Sequence, residues 1–192
     1  MSILESEPVC MSKTIRKILF VASLVLLIFG KSVYADSLVI YIGDIIFDCH
    51  YVNFAWGYRL EGFYIDHNGN LYKYNRHGNP WLPDSVRKGD AYYPETDLLD
   101  KFQNKKLIGT IERTILEEKI NLISEAARGT ITRKQRGNDM GGRGCVAYYF
   151  DNNKKTYKEI NLGSTGDFDE ENSSDRAKEL LIWLKQFWNQ TQ

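Results

Sequence analysis

The chain has 192 residues, with 25 basic and 25 acidic side chains. So even a balance lacks the basic footprint from which nucleic-acid binders draw most of their affinity, and it lacks the polybasic clusters of membrane-surface proteins. Neither nucleic acid nor, once processed, a membrane is an expected partner.

Residues 1–35 carry the grammar of a cleavable secretory signal. Lys13, Arg16 and Lys17 supply a positive start, residues 18–29 form a nearly unbroken apolar run, and Gly30 closes it. Val33-Tyr34-Ala35 then puts a small residue at the cleavage position. The apolar run is shorter than the roughly 20 residues of a spanning helix. Cleavage after Ala35 and export, to a periplasm or beyond the cell, are therefore expected. Met11-Ser12-Lys13 offers a second candidate start with a signal of ordinary length. Residues 36–192 remain as one domain, with 21 basic and 23 acidic side chains; a chain of that size buries about 70% of its unfolded surface. Of three cysteines, Cys10 falls in the signal, leaving Cys49 and Cys145 with one possible connectivity in an oxidising compartment.

Residues 38–74 read as strands. Val52, Phe54, Trp56 and Tyr58 alternate with Asn53, Ala55 and Gly57, the period of a half-buried strand. Asp66-His67-Asn68-Gly69-Asn70 between apolar runs predicts a hairpin, with both central residues of a type I′ turn at positive φ. Residues 77–94 read as a long loop held down by Trp81 and Leu82. Thr96 is the expected cap of a short helix carrying Leu98, Leu99 and Phe102. Residues 106–111 fit either a helical turn or a strand. Thr114-Ile115-Leu116-Glu117 matches a capping box, followed by a helix whose apolar face runs from Ile115 to Ala127 and stops at Gly129. A strand over 130–133, a glycine-rich loop over 136–144 and a second hairpin around residues 151–155 come next. A polar stretch, 163–174, leads into a last helix with Ala177, Leu180, Leu181, Leu184, Phe187 and Trp188 on one face. The implied class is α+β: a mainly antiparallel sheet of two hairpins plus flanking strands, packed against two amphipathic helices. Residues 64–73 and 149–158 share five identities in ten positions, which common turn and strand preferences explain.

No motif assigns a catalytic, cofactor or metal residue. His50, His67 and His77 lack ligand spacing, and Cys49 and His50 point to opposite strand faces. Asp66 to Asn70 lacks the offsets of a calcium loop, and Asp167, Asp169, Glu170 and Glu171 read as a solvated acidic run. Arg136 and Arg143 bracket the glycines of a possible anion cradle. Tyr72 and Trp81 are the candidate recognition rings, one on the first hairpin and one in the long loop. Two acceptor-type sequons, Asn172-Ser173-Ser174 and Asn189-Gln190-Thr191, are also present. The expected activity is non-catalytic binding of an extracytoplasmic protein or small ligand. The alternative is a secreted hydrolase whose Asp48, Asp66, Asp139 and Asp167 meet only in the fold.

Overall fold

Nine strands pair antiparallel into one sheet, and its central strands are apolar on both faces, so both faces must be covered. The computed structural model describes residues 43–83 and 92–188; the expected signal segment, its expected cleavage site and the Asn189 sequon lie outside them. The strands are β1 (Ile45–Asn53), β2 (Arg59–Asp66), β3 (Asn70–His77), β4 (Tyr92–Pro94), β5 (Lys106–Thr110), β6 (Ile131–Gln135), β7 (Gly142–Asp151), β8 (Thr156–Gly166) and β9 (Phe168–Asn172). Their order is β5-β3-β2-β1-β7-β8-β9-β6, with β4 also on β8. The helices are α1 (Glu95–Lys101), α2 (Arg113–Asn121), α3 (Ile123–Ala126) and α4 (Asp175–Trp188).

One face carries Phe47, Cys49, Phe63, Ile65, Ala147 and Leu162 beneath the buried stripes of α2, α3 and α4. The other carries Leu60, Tyr64, Tyr74, Val146, Tyr148 and Tyr157 beneath Leu98 of α1, Phe102 and Tyr93. The class is thus α+β, with a sheet larger than two hairpins and α1 covering its second face. Cys49 and Cys145 stand directly opposite in the β1–β7 register and form a disulfide, Cα to Cα 4.1 Å.

Four local expectations are corrected. The alternation from Val52 to Tyr58 runs through a reversal: Asn53 ends β1, its Oδ1 accepts the Ala55 N–H, and Gly57 adopts φ +90°. In the first hairpin only Gly69 has positive φ (+83°), and its N–H donates to the Asp66 carbonyl. The turn is therefore a three-residue loop and not type I′. Its stability comes from the Asp66 carboxylate, which accepts the N–H groups of Asn68 and Asn70. Asp151 takes the same part in the second hairpin, accepting from Asn153 and Lys154. Neither Thr96 nor Thr114 caps a helix: Pro94 and Glu112 occupy those positions without side-chain cap bonds, and Glu117 pairs with Arg113. The long helix breaks at Leu122 into α2 and α3.

The polar stretch 163–174 contains the end of β8 and all of β9. Charge complementarity explains it, since Arg133 and Lys134 of β6 stand opposite Glu170 and Asp169 of β9. Asn172 is buried, its amide donating to the carbonyls of Ala126 and Asn161, which closes that sequon to modification in the folded chain.

Candidate functional site

The alternation of β1 sends Phe47 and Cys49 to the helix-rich face and Asp48 and His50 to the other. Asp48 is fully buried there. Its Oδ2 accepts from Lys101 Nζ of α1 at 2.6 Å and pairs with His50 Nδ1 at 2.9 Å, while Oδ1 accepts the Tyr74 hydroxyl at 2.7 Å. Lys101 is also buried, 3.4 Å from the Tyr148 hydroxyl and 5.0 Å over the Trp81 ring. Burial by itself would raise the Asp48 carboxyl, but Lys101 and then His50 outweigh it and hold the group well below the usual carboxylate range. Burial, followed by the Asp48 charge, drives the phenols of Tyr74 and Tyr148 well above theirs.

A histidine oriented by a carboxylate is half of a base-catalysed site. The other half is missing among the described residues. Gly62 and Gly144 flank His50 on the neighbouring strands, and Ser164, next across from Gly144, gives its hydroxyl to Glu170 at 3.2 Å. The four acids do not assemble either. Asp48 is ion-paired in the core and Asp66 serves its turn. Asp139 and Asp167 line a common cleft, where the Asp167 carboxylate accepts the Met140 N–H. No group of three or more histidine, cysteine or acidic residues is arranged to hold a metal ion among the described residues.

The two most exposed rings lie together at one end of the sheet. Phe54 and Trp56 in the β1–β2 loop are 57% and 90% exposed, and Met140 in the glycine-rich loop is 58% exposed. The two loops are tied together, since Asn53 donates to the Tyr51 hydroxyl and Tyr51 donates to the Met140 carbonyl. A cleft of about 400 Å³ opens beside Phe54, lined by Val52, Arg133 and Phe168; another of about 450 Å³ opens beside Trp56, lined by Tyr58, Arg59 and His77. The alternation through this segment reads as strand, which conceals the pair in the sequence. The usable signal was Asn53 with Gly57, a turn former and a residue free to take positive φ.

Tyr72 and Trp81 are half-buried and engaged. Tyr72 stacks on Tyr64 at 5.0 Å with Lys105 over its ring. The Trp81 indole N–H donates to the Asp97 carbonyl, and its ring packs on Tyr93 at 5.6 Å. Arg136 and Arg143 have separate surroundings. Arg136 pairs with Asp169 at 3.2 Å, whereas Arg143 lies over the Trp188 ring at 4.6 Å. The amides of Arg136 and Gly137 donate to the Asp167 carbonyl, so the glycine-rich loop spends them on its own chain. No protein-family model, curated protein or solved structure matches this chain. Function therefore has to be argued from the sites themselves.

Proposed function

We propose that the protein is exported and works as a non-catalytic binding module, engaging an extracytoplasmic protein or small ligand through the rim around Phe54 and Trp56. The observation that carries this reading is the 90% exposure of Trp56 on a loop anchored by Asn53 and Tyr51. A single exposed apolar residue needs no explanation, but two rings and a methionine on tied loops beside two clefts make the kind of surface that recognition uses. Export has the signal grammar of residues 1–35 behind it. A Cys49–Cys145 disulfide, and the lack of any described helix able to cross a membrane, are compatible with export.

Immobilised wild-type protein and its Trp56→Ala and Phe54→Ala variants, exposed to the extracytoplasmic fraction of the native cell, test the reading. A species retained by wild type and lost from both variants, with melting temperatures unchanged, supports it. Equal retention by all three overturns it. Hydrolysis is a second reading with one observation behind it, the His50–Asp48 hydrogen bond. It is the weaker, because that bond belongs to a buried ion pair with no nucleophile beside it among the described residues.

A further inference from the structure

On the helix-rich face where α4 ends, β1 and β2 place Tyr51 and Glu61 side by side, with Arg143 of β7 opposite Tyr51. Trp188, the last residue of α4, packs edge-on against Phe63 at 5.9 Å. The Arg143 guanidinium lies over the Trp188 ring. Together with Lys73 and Arg59 these residues line a cleft of about 550 Å³, within the range of small-ligand sites.

Its charge is unbalanced. Three basic side chains and one acidic one line it, and the acid is already engaged: Arg59 holds Glu61 through two bonds of 2.9 and 2.7 Å. Arg143 and Lys73 have no carboxylate partner among the described residues, although acidic and basic side chains elsewhere on this sheet are paired across strands. A guanidinium held over an indole at 4.6 Å satisfies no N–H donor with an acceptor there and so keeps its donors for a planar or tetrahedral anion, and the ring contact reduces the side-chain freedom it must lose on binding. The adjoining cleft, which shares Arg143 and Trp188, sets Arg143 and two α4 lysines against three β9 acids, so no excess charge lies there and the excess sits on the Lys73 side.

We propose that this cleft is an oxyanion seat, in which Arg143 and Lys73 receive the carboxylate or phosphate group of a ligand. The site adjoins the Phe54–Trp56 rim, sharing Tyr51 and Arg59 with the cleft beside Trp56, but Arg143 and Lys73 line neither rim cleft and the proposal does not depend on the rim's role. Titrating isotopically labelled protein with inorganic phosphate and, separately, with acetate at constant ionic strength tests it by NMR. Saturable shifts of the Arg143 Nε–H and the Trp188 indole N–H are expected, and the anion that saturates lower identifies the class. Arg143→Gln should abolish saturation. Lys73→Gln, which leaves the Arg143–Trp188 contact intact, should weaken Kd about twofold to fivefold, the weight of one exposed charge. Arg136→Gln should change nothing. Linear shifts with both anions overturn the proposal, as do saturable shifts that survive Arg143→Gln or an unaltered Kd in Lys73→Gln.

Discussion

Asp48 has no solvent contact and is held by Lys101, His50 and Tyr74, so neutralising either ion leaves the other stranded in the core. Lys101→Met should lower unfolding free energy by about 3–5 kcal/mol in urea denaturation, and Asp48→Leu should do the same. The double variant should recover much of that loss; strictly additive losses would contradict a paired role. The carboxyl also sets the acid limb of stability. Its folded pKa is depressed, so its contribution is complete above the unfolded value of about 4 and drains away as pH falls through the folded one. Stability should fall with pH in that acid window, and Asp48→Asn should flatten the limb. The raised phenols of Tyr74 and Tyr148 act in the opposite sense. Their contribution is complete below the unfolded value of about 10 and is lost above it, because the unfolded chain releases those protons first. Lys101 gave no sign of this in the sequence. It sits three residues after the buried Leu98, where a helix returns to the same side, but no pattern marks a lysine as interior.

Elements were legible where local chemistry and burial agreed. Both hairpins, the final helix and the Cys49–Cys145 bridge follow from turn residues, apolar spacing and cysteine count. They failed where tertiary pairing outvoted local pattern. In β9, Asp169 and Glu170 lie in a strand because β6 offers Lys134 and Arg133 opposite them, a partnership invisible in a single window. Around Phe54 and Trp56 the period of two continued past the strand's end, and with it the candidate rim was hidden. The β2–β3 loop gives this scale its test. Gly69 has φ +83°, and a Cβ there would lie 2.6 Å from the Ile111 carbonyl oxygen, whose residue donates its own N–H to the Gly69 carbonyl. Gly69→Ala should destabilise by about 1–2 kcal/mol, the cost of a left-handed L-residue, with any close-contact penalty added to it. A melting temperature equal to wild type would mean that the loop relaxes freely.

On the scale of the whole molecule the main path of the sheet, β4 aside, is two four-stranded halves joined along one seam. β5, β3, β2 and β1 come from residues 45–110, and β7, β8, β9 and β6 from residues 131–172. Only β1 and β7 pair across the seam within the sheet path, and the disulfide lies in that pair, its cysteines 96 residues apart in sequence and both buried. In the chain-entropy model a loop of this length contributes about 4–5 kcal/mol, the largest single covalent restraint available to the fold. Other ties between the halves include β4 on β8, the packing of α2, α3 and α4 over one shared core, the tyrosine-rich core on the other face, and the Lys101–Tyr148 and Tyr51–Met140 contacts. Replacing both cysteines by alanine should therefore lower the melting temperature by about 10 °C or more for a domain of this size. Because the sulfurs lie inside the helix-covered face, reductant should reach them only when the seam opens. Reduction of native protein should then proceed at a rate independent of high reductant concentration and rise with urea in step with unfolding. A rate that instead shows little dependence on urea would show reductant reaching the bridge through an opening that exposes far less surface than global unfolding, and the seam would have to be treated as opening on its own.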